Sequence, residues 1–110
     1  MILIKDKWYN NNKQIGFIYQ LKSNKQLGYL HIVINNIEHS SIITDFYCLE
    51  TKKGYGTQLL NYAIKHLKKI NIKYIYLDDM TIEYRKTHNI YKKFGFNYIN
   101  NFGPEMILIL

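Results

Sequence analysis

Thr51-Lys52-Lys53-Gly54-Tyr55-Gly56-Thr57, followed by Gln58 to Ile70 (QLLNYAIKHLKKI), decides the fold. Behind Gly56 the apolar residues Leu59, Leu60, Ala63, Ile64, Leu67 and Ile70 trace one stripe of a 3.6-residue period, which predicts an amphipathic helix. Lys65, Lys68 and Lys69 crowd its last turns, where cations favour the negative dipole end, and Asn71 suits a C-terminal stop. Gly54 and Gly56 sit where the chain turns into this helix, so the backbone is free to take positive φ and a ligand can approach closely. The first helical amides have no intrahelical partner, and no acidic residue occupies the first turn to neutralise them. Lys52 and Lys53 precede the turn, and Thr57 offers a hydroxyl. A diphosphate suits these electrostatics; a plain tight loop suits the two glycines equally. No Gly-Lys-Ser/Thr ends the loop as in a P-loop, and the third glycine of the dinucleotide fingerprint is missing.

Upstream, the period is two. Gln14 to Lys22 (QIGFIYQLK) and Gln26 to Asn35 (QLGYLHIVIN) are rich in β-branched and aromatic residues, and Ser23-Asn24-Lys25 between them predicts a hairpin. A third strand follows over about Ser41 to Leu49 (SIITDFYCL), and Met1 to Lys5 supplies an edge strand. Downstream, Lys73 to Leu77 reads as a buried strand. A second helix is expected from Ile82 to Phe94, with Thr81 as N-cap and Gly95 as C′ residue. Phe96 to Asn100 and Glu105 to Leu110 then form a hairpin around Asn101-Phe102-Gly103-Pro104. A strand–helix–strand crossover places its strands parallel and right-handed. The expectation is an α/β (α+β) fold in one domain, residues 1–110: a mixed, mainly antiparallel sheet with a central parallel strand pair and helices on its faces.

Composition bounds the function. One hundred and ten residues hold one core, and 47% apolar with 21% charged residues is a globular balance. No apolar run reaches the roughly 20 residues of a membrane span, and Lys5-Asp6-Lys7 interrupts any secretory core, so a cytoplasmic protein is expected. The lone Cys48 and four scattered histidines make neither a disulfide framework nor a metal site. The net charge of +7 invites a nucleic acid, but Arg85 is the only arginine. Half the chain is Ile, Asn, Lys and Tyr, residues with A/T-rich codons, which makes nucleic acid an unlikely partner.

About 35 residues beyond the glycine loop stands Asn89-Ile90-Tyr91-Lys92-Lys93-Phe94-Gly95-Phe96, a helix end running into a Gly-Phe strand start. Together the two stretches resemble the GNAT superfamily of acyl-CoA-dependent N-acetyltransferases. TKKGYGTQLLNYAIKHL is similar to that family's Gln/Arg-x-x-Gly-x-Gly/Ala motif and its helix, and YKKFGF to its Tyr-x-x-x-Gly-Phe motif. The resemblance runs from about Gln26 to the C-terminus. It implies that amides of Lys53, Gly54, Tyr55, Gly56 and Thr57 hold the CoA pyrophosphate. It also implies that backbone around Tyr47, Cys48 and Leu49, beside a bulge and a splay, pairs with the pantetheine arm. Tyr91 takes the place of the general acid that protonates the leaving thiolate. Thr51 departs from the family's Gln or Arg, and Tyr84 from an asparagine often found seven residues before the tyrosine. Between the first strands, where the family carries two helices, only Asp6 to Lys13 is available.

The implied reaction moves an acetyl group from acetyl-CoA, the acyl-donor co-substrate, to a primary amine by direct transfer in a ternary complex. Glu50 and Asp78 are the base candidates carried forward; Asp45 and Asp79 are two more. His31 and His39 lack a paired acid nearby in sequence and read as structural, and Cys48 as a small buried thiol. An inactive CoA-binding or interaction module and a basic nucleic-acid-binding domain remain the alternatives. The exposed edges permit a homodimer.

Overall fold

The computed structural model describes residues 2–10 as backbone, and residues 14–50, 53–81, 84–86 and 89–110 in full. Met1, Lys13, Thr51, Lys52 and Ile82, which bear on the readings above, lie outside the described residues. The element order is β1 (Ile2–Asn10), β2 (Gln14–Lys22), β3 (Gln26–Asn35), β4 (Ser40–Cys48), α1 (Tyr55–Lys69), β5 (Tyr74–Asp78), α2 (Ile90–Lys93), β6 (Asn97–Tyr98) and β7 (Glu105–Ile109). The strands form one sheet in the order β1-β2-β3-β4-β5-β7-β6. Every neighbouring pair is antiparallel except β4 and β5, the pair that α1 joins.

The core follows from the period-two pattern. Tyr19 and Leu21 of β2, Leu30, Ile32 and Ile34 of β3, and Ile75 of β5 are buried under Leu59, Leu60, Ala63 and Leu67 of α1. Tyr19 is fully buried, yet its hydroxyl lies 2.6 Å from His66 Nδ1, so the β2–α1 contact is tied by a polar bond as well as by apolar area. The helix stops where its sequence directs. Asn71 takes φ 65°, its amide bonds to Lys68 O, and that of Ile72 to Leu67 O, which satisfies the last carbonyls.

The second helix departs from the sequence reading. Among the described residues, the helix expected over Ile82 to Phe94 is present as a single turn, Ile90–Lys93, capped by Asn89 rather than Thr81; residues 82–83 and 87–88 lie outside the described residues. Thr81 is engaged elsewhere, because its amide and hydroxyl both donate to Asp79 Oδ1, at 3.0 and 2.6 Å. Arg85 sits at φ 60°, which no helix admits. Side-chain bonds engage the described residues of this stretch instead, Thr81 locally with Asp79 and Arg85 with the distant Asn100 and Gly103. Both helices lie on one face of the sheet, with Ile90 of α2 against Gly56 of α1. The molecule measures 40 × 38 × 19 Å, and the short axis fits one sheet under one layer of helix, each about 10 Å deep. On the opposite face Ile42 remains 46% and Tyr47 41% exposed.

Candidate active site

The glycine turn is built as an amide cradle. Gly54 is the N-cap of α1 at φ 77°, ψ 11°, a left-handed conformation that costs an L-residue about 1–2 kcal/mol. Among the described residues no side chain caps the helix, and no acidic residue stands in its first turn. The first ladder bond runs from the Gln58 amide to Gly54 O at 3.1 Å. Among the described residues nothing accepts from the amides of Gly54, Tyr55, Gly56 and Thr57. A left-handed residue followed by right-handed ones aims successive N–H groups into one concavity, an anion nest at the positive end of the helix. The two glycines serve different ends. A Cβ on Gly54 would meet no atom within 4 Å, so this position faces open space. A Cβ on Gly56 would lie 3.0 Å from Ile90 Cδ1, 3.2 Å from Phe46 Cζ and 3.3 Å from Cys48 Sγ. The sequence suggested room for a ligand at both; at Gly56 the room is taken by the protein's own side chains.

Beside the cradle, β4 parts from β5. The parallel pairing covers only Ser40–Tyr74, Ser41–Ile75 and Ile42–Tyr76. Against β3, the register jumps from Ile32–Ile43 to His31–Asp45, which leaves Thr44 as the extra residue of a bulge. Beyond it, β4 keeps its bonds to β3 while its other edge has no strand partner among the described residues. Leu49 donates its amide to Leu27 O at 2.9 Å, and because an antiparallel ladder alternates sides, Tyr47 also turns its backbone to β3. On the open edge stand the backbone groups of Phe46 and Cys48. The Cys48 thiol points to Gly56, and burial pushes its pKa up, which makes it a poor nucleophile.

Tyr91 reaches the same place from α2. It is buried, its ring lies 6.1 Å from that of Phe46 and 5.9 Å from that of Phe96, and its neighbour Ile90 abuts Gly56. No hydrogen bond takes up its hydroxyl among the described residues. Burial first, then the charges of Asp79 and Cys48, hold the phenol well above its usual pKa, so it is a proton donor at neutral pH.

The backbone of Tyr91 is held by a polar cluster that sequence reading missed. Fully buried Asn89 accepts the Tyr91 amide at 2.8 Å through Oδ1 and donates Nδ2 to Asp79 Oδ2 at 2.8 Å. Asp79 also takes the Tyr98 hydroxyl at 2.5 Å. Burial alone would push its carboxyl up, but the bonds from Thr81, Tyr98 and Asn89 outweigh it and hold it below the usual carboxylate range. Asp79, one of the base candidates, is thus an acceptor already occupied. Arg85 closes the cluster: its guanidinium bonds Asn100 O and Gly103 O, each at 2.9 Å, and lies 4.3 Å from the Tyr98 ring centroid. The one available signal was Asn89 directly before Ile90-Tyr91, a cap pattern hidden inside the expected longer helix.

The structure therefore brings Gly54, Tyr55, Gly56 and Thr57, Phe46, Cys48 and Tyr91 to one cleft edge, with Lys53 at its rim. Glu50 is exposed and lies 4.0 Å from Lys53 Nζ. Asp78 ends β5 opposite Glu105 of β7 and leaves the sheet on the face away from the helices. Among the described residues, no group of three or more His, Cys, Asp or Glu could hold a metal ion. Among the described residues, no helix is long and apolar enough to cross a membrane.

Comparison with solved structures places this geometry. GCN5 from Tetrahymena superposes with a TM-score of 0.70 at 20% identity, over 86% of this chain and 68% of that one. An acetyltransferase from Bacillus cereus gives 0.72 at 18%, over 88% and 74%. The PaiA N-acetyltransferase of Thermoplasma acidophilum, solved in complex with coenzyme A, gives 0.62 at 21%, over 86% and 58%. No curated protein matches the sequence. The sequence profile of the acetyltransferase (GNAT) family matches residues 2–96, which include the amide cradle, the splayed strand and the tyrosine helix. The chain is a member of the GNAT acetyltransferase family.

Proposed function

We propose that this protein is an N-acetyltransferase that moves an acetyl group from acetyl-CoA to a primary amine by direct transfer in a ternary complex. The observation that carries the reading is the set of unpartnered amides at Gly54 to Thr57, opening beside the one stretch of β4 that lacks a neighbour. The cradle holds the pyrophosphate, with Lys53 adding charge at the rim. The free edge of Phe46 and Cys48 bonds the amides of the pantetheine arm as an added strand would. That track leads towards Tyr91. The amine nitrogen attacks the thioester carbonyl, the C–N bond forms as the C–S bond breaks, and the departing thiolate takes the Tyr91 proton. The ammonium proton leaves to a base or to solvent, and solvent returns a proton to Tyr91. Glu50 and Asp78 do not touch Tyr91 in this arrangement; of the two, Asp78 stands nearer the open face from which an amine can enter.

Thermal stabilisation by acetyl-CoA and by CoA, compared with ATP and an oligonucleotide at several salt concentrations, tests the cradle. CoA release against a panel of amines tests the transfer. Stabilisation without turnover on any amine identifies a CoA-binding module instead. Stabilisation by the oligonucleotide alone, lost steeply with salt, overturns the reading.

A further inference from the structure

β5 and β7 are apolar at almost every position: Tyr-Ile-Tyr-Leu before Asp78, and Met-Ile-Leu-Ile after Glu105. A strand with one wet face alternates apolar and polar residues, whereas a continuous apolar run belongs to a strand covered on both faces. Ile75, Leu77, Met106 and Leu108 are buried in the core on the helix side. Tyr74, Tyr76, Ile107 and Ile109 alternate with them and stand on the other face, where the Tyr74 and Tyr76 rings lie 6.4 Å apart and Ile109 is 71% exposed. Backbone pairing extends this face across four strands, with Val33, Ile42, Tyr76 and Ile107 in one continuous row. Val33, Ile42 and Tyr76 also line a hollow of about 210 Å³. Among the described residues nothing covers the row.

Charge decides what can lie there. The chain carries +7, yet none of its fifteen Lys and Arg residues lies in β3, β4, β5, β6 or β7. Lys65, Lys68 and Lys69 stand on α1 and Lys92 and Lys93 on α2, at the other side of a plate 19 Å thick. Two copies meeting through the bare face hold these lysines nearly two thicknesses apart, several times the screening length of about 8 Å at physiological salt. Approach through the helices would set lysines against lysines. The face also suits its own image. A half-turn about an axis along the row Val33–Ile42–Tyr76–Ile107 lays each member on its counterpart and reverses the strands. Residues two places before the row then face residues two places after it, which sets Asp78 over Tyr74 and Asp45, beside the bulge, over Ser40. Carboxylates meet hydroxyl donors instead of one another, and polar ends flank an apolar centre, the layout of a protein interface. The broad face measures 40 × 38 Å, so overlap over somewhat more than half of it meets the roughly 800 Å² per partner of a stable complex.

We infer that this face is a twofold interface between two copies of the chain, centred on Val33, Ile42, Tyr76 and Ile107, with Tyr74 and Ile109 beside them. The two sheets stack about 10 Å apart, giving four layers in the order helix, sheet, sheet, helix. The splayed length of β4 beyond the bulge lies past the partner's strand ends, so the cleft stays open. The inference is independent of the acetyl-transfer reading: it rests on apolar pattern, charge and symmetry alone.

Sedimentation equilibrium of the nuclease-treated full chain tests it. The chain should reach twice its 13.2 kDa mass with a Kd of about 10 μM or tighter. Added NaCl should strengthen the dimer, because it screens repulsion between two +7 chains and leaves apolar contact intact. Ile42→Lys and Ile109→Lys should each weaken the dimer at least about tenfold. Ile70→Lys, which adds the same charge at the end of α1 where the side chain is 40% exposed, should leave it unchanged. Circular dichroism shows whether the lysine variants are folded. Tyr74→Phe keeps the ring and the fold, so it decides even if they are not: it removes the hydroxyl facing Asp78 twice per dimer and should weaken association about tenfold. A wild type that stays monomeric at about 200 μM overturns the inference, as another protein would then have to cover the face. So does a dimer that salt disperses, or one that Tyr74→Phe and the folded lysine variants leave intact.

Discussion

Replacing Asn89 by aspartate asks whether the tyrosine helix is held as described. The capping oxygen survives, since Asp caps as well as Asn, and the Tyr91 amide keeps its acceptor. What changes is the other end, where Nδ2, now 2.8 Å from Asp79 Oδ2, becomes a second carboxylate oxygen. Both residues are almost wholly buried. Two charges about 4 Å apart repel by about 4 kcal/mol at an effective dielectric of 20, so one carboxyl takes up a proton instead. Holding that proton costs about 1.4 kcal/mol for each pH unit above the unfolded value near 3.9, or about 4 kcal/mol at pH 7 and about 1.5 at pH 5. The sign is that of a raised pKa: the variant is least impaired in acid and loses stability as pH rises. Wild-type Asp79 has the opposite sign. Its depressed pKa supports the fold above about pH 4 and fails only below, so it adds no slope between pH 5 and 8. At about 4 °C per kcal/mol, Asn89→Asp should melt about 15 °C below wild type at pH 7 and about 6 °C below at pH 5. Asn89→Ala, which loses the cap and leaves Asp79 short of a donor, should show a pH-independent loss of about 3 kcal/mol. Melting curves by circular dichroism at pH 5, 6, 7 and 8 decide it. A gap between Asn89→Asp and wild type that stays constant with pH would refute the reasoning.

Tyr91→Phe removes the proton donor and nothing else, so kcat should fall about 100-fold while the thermal shift given by acetyl-CoA persists. Because the Tyr91 phenol is raised, wild-type kcat should show no alkaline loss due to its ionisation below about pH 10, a pH–rate profile being the check. Gly54→Val places a branched side chain at φ 77°. The cradle should lose CoA-dependent stabilisation, and the unliganded protein should melt several degrees lower, both read by differential scanning fluorimetry. Arg85→Lys cannot bond two carbonyls and cover a ring at once. It should lower stability by about 1 kcal/mol, read in a urea titration, without altering CoA binding.

Much of this architecture is legible in local pattern. The strands Gln14–Lys22 and Gln26–Asn35 and the stripe on α1 are periodic signals over nine residues or more, and the burial they predict is the burial found. The turn at Gly54 was legible because glycine before a lysine-ended amphipathic run has few other uses. The cap at Asn89 was not, because Tyr84, Tyr91 and Phe94 mimic a helical stripe. What breaks that stripe is a set of bonds to residues distant in sequence, from Asp79 to Tyr98 and Gly103. The pairing of His31 with Asp45 was beyond reach for a different reason: fourteen residues separate them, and their meeting depends on register, which the bulge shifts by one. Edge use was illegible too. Sequence could indicate backbone near Cys48, but only the ladder tells which amides β3 has already taken.

The additional residue at Thr44 does more than bend a strand. Before it, odd-numbered positions of β4 are the interior ones, Ser41 and Ile43; after it, even-numbered positions are, Phe46 and Cys48. Forcing the same residues into a regular ladder would impose one parity throughout: Asp45 and Tyr47 would turn inward against α1, while Phe46 and Cys48 would be delivered to water. Excising Thr44, by contrast, would remove the bulge and leave Phe46 and Cys48 inward, in phase with Ser41 and Ile43. The spare residue is thus absorbed by the bulge, which keeps inside and outside matched along the stretch where the candidate chemistry is assembled.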